Sequence, residues 1–436
     1  MNPILTSYSA EKKTQIREFY SLSISSLLHF SILGLLSPYI AIYFKRGGLP
    51  FGILFLIFLA NNLGNIAQPV WGGLSDRFDR RKIFIVLASI MWLVFGIIIY
   101  ITPEFIIFVI FFGLASFFGS SVQPIARSLI AFISLEGEET EYQSKFGVLL
   151  TTSFTISAWL GGMIADFYDF NTLFFIVMIL AFLSLIISTF TVPEYRMSEN
   201  ANKIKDINKK DNKYVNFNQK LKNLFKNNLF VIIVVFSFLG GFCFYFFFSF
   251  MSVFFSERGL NLSLYSWSFI LSFSLFMLIN YIGEAYVKRK IKIKKDIVNL
   301  TEEENAEIAR QKNQISIKLK MVFIFWSILG FLTLCILITL ISDMSFIILI
   351  LYSFPIVPFF FTSMLALTSS VVDLEHKALA IGVQGVFVFG GRSLTVYVGS
   401  IFLDIGGFPI AALVNIFLMI ILLLMAIYTF KKLEMI

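Results

Sequence analysis

Long runs of apolar residues alternate with short polar connectors along almost the whole chain. The hydrocarbon core of a bilayer is about 30 Å thick, so a helix crosses it with about 20 apolar residues. The strands of a membrane barrel would instead alternate apolar and polar positions over about ten residues. The pattern therefore predicts an all-α membrane protein with twelve transmembrane helices, at residues 19–44, 51–73, 83–102, 104–133, 146–167, 172–192, 228–255, 263–286, 319–341, 345–370, 377–402 and 408–430.

Two connectors are much longer than the others and divide the chain. Residues 193–227 are rich in Lys and Asn and separate six predicted spans from the next six. A second basic connector covers 288–318, where Thr301 and Glu304 match a capping box and predict a short cytoplasmic helix. The predicted organisation is an N-terminal six-helix bundle at 1–192, a cytoplasmic linker at 193–227 and a C-terminal six-helix bundle at 228–436 with a cytoplasmic loop at 288–318.

The two predicted bundles share an internal repeat. Residues 43–49 resemble residues 254–260 at an offset of 211, and residues 128–134 resemble residues 363–369 at an offset of 235. An insertion in the second half, at the 288–318 connector, accounts for the change of offset. Two repeats in parallel orientation favour a substrate site between the halves near the bilayer midplane, exposed to each side in turn when the halves rock.

The charged residues predict the orientation. Hydrophobic residues make up 58% of the chain and charged residues only 14%, which excludes an ordinary soluble enzyme. If the N-terminus is cytoplasmic, every Lys and Arg falls on the cytoplasmic side except Lys45, Arg46, Arg258 and Arg392. Cytoplasmic connectors of membrane proteins carry this excess of positive charge. We therefore expect a protein of the cell membrane with both termini cytoplasmic. We attribute the net charge of +8 to the cytoplasmic connectors that orient the protein, rather than to nucleic-acid binding.

The connector after the second predicted span carries a motif. Residues 72–82 resemble the signature of the major facilitator superfamily, Gly-x-Leu-x-Asp-Arg-x-Gly-Arg-Arg/Lys, although Asp79 replaces the second glycine. The repeat adds a counterpart in the second half. The resemblance implies a transporter of twelve helices in two parallel bundles, with a cytoplasmic latch between the halves. The alternative is a connector that only fixes topology. The latch candidates are Gly72, Leu74, Asp76, Arg77, Arg80, Arg81, Gly283 and Lys288.

Polar residues inside the predicted spans are the candidates for the substrate path, because burying them in lipid is costly. The alternative for each is a core residue or a hydrogen bond between helices. Arg392 has no Asp or Glu at a similar predicted depth. An anionic substrate is one candidate partner, and backbone carbonyls, water or Asp404 are the others. The candidates are His29, Asn61, Asn65, Ser116, Ser120, Gln123, Gln384 and Arg392.

Together these features predict a secondary transporter that moves a small organic solute by alternating access. We expect it to act as a monomer in the lipid bilayer, without a cofactor, metal or nucleic-acid partner. Protons or another ion are the candidates for coupling. The alternatives are a non-transporting receptor or scaffold, and an intramembrane enzyme. An enzyme would need a cluster of reactive side chains, and His376 lies far along the sequence from His29.

Overall fold

A computed structural model describes residues 3–78, 80–134, 139–194, 217–246, 248–295, 302–341, 343–372 and 377–434. Within these ranges every regular element is helical, which confirms the predicted all-α class. The helices of the first part are α1 Pro3–Leu36, α2 Ile40–Arg46, α3 Phe51–Ile66, α4 Gln68–Phe78, α5 Lys82–Ile101, α6 Phe105–Gly119, α7 Val122–Ile133, α8 Glu139–Phe167 and α9 Phe170–Phe190. The helices that follow are α10 Phe217–Lys226, α11 Asn228–Tyr245, a 3-10 turn at Phe248–Phe250, α12 Met251–Glu257, α13 Leu262–Lys295, α14 Glu302–Leu340, α15 Ser345–Tyr352, α16 Ile356–Ser370 and α17 Lys377–Glu434.

Ten helices in the described ranges are long and apolar enough to cross a membrane, and α3 is a shorter apolar helix. The longest helix, α17, is interrupted at Gly406 and Gly407, and Gly407 has a φ of 66° that favours glycine. This break lies between the last two predicted spans. The uninterrupted helices α5 and α9, with 20 and 21 residues, have the length that a hydrocarbon core of about 30 Å requires.

Prolines account for several interruptions within the apolar helices. A proline has no N–H to donate to the carbonyl four residues earlier, so the helix tends to break there. Pro69 follows the break at Ala67, and Pro124 follows the break at Ser120 and Ser121. The interruption between α11 and α12 has no proline, and it falls in the Phe-rich run 242–250.

The predicted short helix in the 288–318 connector is not a separate element. α13 continues to Lys295, and α14 begins at Glu302 and runs without interruption to Leu340. Residues 302–316 are dominated by good helix formers such as Glu, Ala, Gln and Lys and contain no Gly or Pro. The connector therefore continues the two neighbouring helices, while the cap residue Thr301 lies outside the described residues.

The chain forms two compact units, and each has its own packing. The first contains residues 1–214 together with 252–267, and the second contains residues 215–251 and 268–436. In the first, Asp166 Oδ2 accepts a hydrogen bond of 2.6 Å from the backbone N–H of Ser263 at the start of α13. The division into six plus six helices stays a prediction.

Candidate substrate-binding site

His29 lies in the packed interior of the first unit. Its side chain is 2% exposed, and Trp92 Nε1 donates a hydrogen bond of 3.2 Å to its Nε2. An indole N–H can only donate, so Nε2 must be the unprotonated nitrogen of a neutral imidazole. A methyl group at Gly119 would lie 2.6 Å from Trp92 Nε1 and 2.9 Å from the His29 ring. The glycine thus lets α6 press against both rings, and no room is left beside the imidazole.

The amides predicted on the second span hydrogen-bond along their own helix. Asn65 Nδ2 donates to the Asn61 backbone oxygen at 2.9 Å, and Gln68 Nε2 donates to Asn65 Oδ1 at 3.3 Å. All three side chains are partly exposed. The hydrogen bond from Gln68 therefore joins the start of α4 to α3 across the break at Ala67. Asn61 and Asn65 therefore have partners, and they lie on an accessible face of α3.

The predicted polar face of the fourth span divides into two parts. Ser116 and Ser120 are buried, and Ser120 Oγ donates to the Phe117 backbone oxygen at 2.8 Å. A methyl group at Gly64 of α3 would lie 2.7 Å from the backbone of Ser116, so these small residues bring the two helices together. Gln123, one turn further on, is half-buried and makes no hydrogen bond to a described residue.

Arg392 lies deep within α17 and is held there by close helix packing in the second unit. It follows Lys377 by fifteen residues, which is about 22 Å along the helix axis. A side chain at the preceding Gly391 would collide with the Phe238 carbonyl oxygen of α11, so only glycine permits this approach. The exposed side chains of Leu394 and Ile401 lie on the opposite side of the helix, roughly 160–180° away. Arg392 therefore points away from the most exposed face of its helix.

The guanidinium group of Arg392 rests on an aromatic ring. Its Cζ lies 3.8 Å from the centroid of Tyr245 and 5.2 Å from the centroid of Phe389. The group has no hydrogen bond or ion pair with any described residue, and its Nε is buried without a partner. Asp404, one of the partners considered from the sequence, is not paired with it. The stacked ring stabilises the charge from one face, but the N–H donors at the edge of the group are left unused.

Gln384 lies on the same helix but in a different environment. It is 1% exposed, and its Nε2 donates a hydrogen bond of 2.9 Å to Ser237 Oγ of α11. This bond ties α17 to α11. On the face that carries Arg392, by contrast, a methyl group at Gly385 would meet no heavy atom within 4 Å. This open space lies about 10 Å from Arg392 along the helix axis, toward the start of α17.

Tyr245 is the residue of this site that the sequence did not single out. The Phe-rich run 242–250 predicted packing and lipid-facing residues, with an aromatic cavity as the weaker alternative. Phe244, Phe246 and Phe250 are indeed fully buried, whereas Tyr245 remains partly exposed beneath Arg392. Its ring also lies 5.7 Å from that of Phe361 on α16. The signal in the sequence was a single tyrosine in a run dominated by phenylalanine.

The predicted latch residues fall into several environments. Leu74 packs partly buried in the core of the first unit, Arg80 is exposed, and Gly283 contacts Leu319. Arg81 is 1% exposed, and its Nε donates to Ser128 Oγ at 3.1 Å. Arg81 therefore braces the start of α5 against α7 within one unit. The side chains of the remaining candidates lie outside the described ones; these are Gly72, Asp76, Arg77 and Lys288.

The described residues contain no group of three or more His, Cys, Asp or Glu that could hold a metal ion. Cys243 and Cys335 are both buried free thiols. Their surroundings are apolar except for Asn415, whose Nδ2 lies 3.6 Å from the Cys335 sulfur. Within the described ranges, Arg392 with its aromatic neighbours is thus the most distinctive polar site.

This arrangement of apolar helices defines a multi-pass membrane protein. The family model of the Major Facilitator Superfamily matches residues 19–298, which is more than half of the chain. The protein belongs to this superfamily, whose members are transporters rather than enzymes. The predicted resemblance at residues 72–82 is confirmed.

Two curated relatives match part of the chain. An uncharacterised MFS-type transporter of Methanocaldococcus jannaschii is 29% identical over 175 residues, which are 39% of this chain and 45% of the relative. An uncharacterised transporter of Buchnera aphidicola is 27% identical over 190 residues, which are 43% of this chain and 46% of the relative. The chain thus matches less than half the length of these relatives.

Solved structures match nearly the whole chain. A D-xylose–proton symporter has a TM-score of 0.69 at 13% identity and covers 95% of this chain and 96% of its own. The nucleoside transporter NupG has a TM-score of 0.66 at 12% identity, with coverage of 94% and 99%. At these identities the likeness establishes the fold.

Proposed function

We propose that this protein is a secondary transporter that moves a small organic solute across the cell membrane by alternating access. Twelve spans result if five interrupted pairs each count as one span, namely α1–α2, α3–α4, α6–α7, α11–α12 and α15–α16. The helices α5, α8, α9, α13 and α14 count as one span each, and α17 counts as two, divided at Gly406. The positive charge of the short connectors supports an orientation with both termini in the cytoplasm. A monomer contains both halves, and protons are the first candidate for coupling. The similar structures include a sugar–proton symporter and a nucleoside transporter, and this supports a small solute.

The observation that carries the proposal is the unsatisfied Arg392 within a membrane helix. An ionised side chain at this depth is expensive unless it is paired. A receptor or scaffold gains nothing from a permanent charge without a partner, whereas a transporter needs a group that binds solute and then releases it. An intramembrane enzyme would need a cluster of reactive side chains, whereas the two rings beside Arg392 supply a single reactive group, the hydroxyl of Tyr245.

The test is solute flux. The full-length protein in proteoliposomes is exposed to a small-molecule cell extract, and the contents of the vesicles are analysed by mass spectrometry. We expect at least one solute to enter in the presence of the protein and not in protein-free vesicles. If the protein-containing vesicles match the empty ones, with both proton gradient directions applied, the transporter proposal is wrong.

The latch gives a second variant for the same assay. Asp76→Asn removes one charge from the proposed cluster of the second connector, and coupling energies of this kind are typically about 1–3 kcal/mol. We expect flux to fall by about fivefold or more while membrane abundance stays unchanged. Normal flux in this variant would leave the connector with a role in topology alone.

A further inference from the structure

We infer that Arg392, stacked on Tyr245, binds the carboxylate of the transported solute, and that this solute is a small organic monoanion with an apolar body. This assignment rests on the proposed transport function and names its substrate class.

The first step is the geometry of the guanidinium group. Its Cζ lies 3.8 Å from the centroid of the Tyr245 ring, so this ring covers one side of the group. The N–H donors at its edge have no acceptor among the described residues, although the buried Nε needs one. A carboxylate matches such an edge with two parallel hydrogen bonds. A planar group held by a ring and open at its edge is therefore prepared for a bidentate anion.

The second step is charge. A guanidinium group carries one positive charge, and the acidic residue Asp404 lies twelve residues further along the helix, about 18 Å away. No other Lys or Arg occurs in residues 228–251, 345–370 or 378–430, which contain α11, α15, α16 and most of α17. A phosphate monoester would bring a charge of about −1.5 to −2 to a single cation. A carboxylate neutralises the site one to one, so the monoanion fits better.

The third step is the surroundings. The rings of Tyr245 and Phe361 lie 5.7 Å apart, those of Tyr245 and Phe248 lie 5.5 Å apart, and Phe389 flanks the guanidinium. These walls are apolar apart from the tyrosine hydroxyl, so they suit an aliphatic or aromatic body. Gly385 leaves open space on the same helical face, seven residues before Arg392. We take this space, about 10 Å before Arg392 along the helix axis, as room for the body of the solute.

Stacking on an aromatic ring does not by itself mark a binding site. Arg258 also lies over a ring, with its Cζ 3.9 Å from the centroid of Phe254. Its Nη1, however, reaches the Phe254 backbone oxygen at 3.4 Å, and it lies in the connector between α12 and α13. Arg258 therefore provides a matched control, with the same stacking in a different setting.

The test repeats the extract assay with Arg392→Gln, Arg392→Lys and Arg258→Gln in the full-length protein. We expect the solutes that enter with the unaltered protein to be carboxylates. Their half-saturating concentration should rise about tenfold or more with Arg392→Gln, which is the scale of one charge-assisted hydrogen bond. Arg392→Lys should retain part of the affinity, and Arg258→Gln should behave as the unaltered protein.

Other outcomes separate the two levels of the proposal. Flux of neutral or cationic solutes, or unchanged carboxylate affinity in Arg392→Gln, overturns the site assignment and leaves the transporter standing. An absence of any flux overturns both. If Arg392→Gln does not reach the membrane in folded form, Gly385→Leu serves instead, because it fills the open space without touching the charge. It should raise the half-saturating concentration by a similar factor, and unchanged affinity contradicts the assignment.

Discussion

His29 and Arg392 occupy comparable positions and differ in almost every other respect. Each is a nitrogen-bearing side chain beside an aromatic ring, well inside an apolar helix. His29 is 2% exposed, accepts a hydrogen bond from Trp92 and is closed in by Gly119. Arg392 is only half-buried, has no acceptor among the described residues and adjoins open space at Gly385. Both side chains keep a buried nitrogen without a partner, His29 Nδ1 and Arg392 Nε, so the two residues differ in their charge and in their exposure.

The chemistry of the two groups explains the difference. A neutral imidazole can be buried at modest cost if one nitrogen is hydrogen-bonded, because no net charge leaves water. A guanidinium group is always charged, and leaving it unpaired in an apolar environment is far more expensive. We therefore expect substitutions around His29 to change stability, and substitutions around Arg392 to change solute affinity.

The largest effect should come from filling the closed cluster. Gly119→Leu places a side chain where a methyl group would already lie 2.6 Å from Trp92 Nε1. Overpacking of this kind costs about 3 kcal/mol, so the variant should unfold at clearly lower temperature or denaturant concentration. Gly385→Leu is the control, because it enters open space and should keep its stability while losing affinity. Equal stability of both variants would erase the distinction between the two regions.

A smaller effect is expected from the hydrogen bond within the cluster. Trp92→Phe removes the donor to His29 Nε2 and should lower the free energy of unfolding by about 1–3 kcal/mol. The half-saturating solute concentration should not change, since the imidazole has no open side. Denaturant titration and flux on the same preparation measure both quantities. A shift in affinity without a loss of stability would place His29 in the substrate path after all.

The smallest effect is expected at Gln384, which shares a helix with Arg392 but bonds to Ser237. Gln384→Leu removes one hydrogen bond between α17 and α11 and should cost about 1 kcal/mol. Solute affinity should stay within about twofold of the unaltered protein, because this contact between α17 and α11 does not face the open space. An affinity loss as large as that of Arg392→Gln would extend the binding site to this residue.

The sequence predicts the helices better than it predicts their breaks. Continuous apolar runs specify spans because their length matches the bilayer, and the prolines mark where α3 and α6 end. The break after Tyr245 has no such mark. The sequence also did not predict that α14 begins as early as Glu302. The charged residues there indicate a connector, although Glu and Lys are good helix formers.

The candidate site was predictable only in part, because burial depends on neighbours distant in the sequence. The absence of an acidic residue near Arg392 was visible along the helix, and so was the need for a partner. The stacking of Arg392 on Tyr245 joins residues 147 positions apart, and Trp92 reaches His29 across 63 positions. Neither contact can be inferred from the spacing of residues within one helix. The same is true of Ser116, a substrate-path candidate from the sequence whose backbone packs against Gly64.

The most direct test of this account is the chemical accessibility of the two positions. Arg392→Cys and His29→Cys are treated in proteoliposomes with a water-soluble methanethiosulfonate reagent, with and without transported solute. The native thiols of Cys243 and Cys335 are 2% and 0% exposed, so they should contribute little background. The account predicts rapid labelling at position 392 that solute slows, and labelling at position 29 only after denaturation. Labelling at position 29 in the folded protein, with none at position 392, would contradict it.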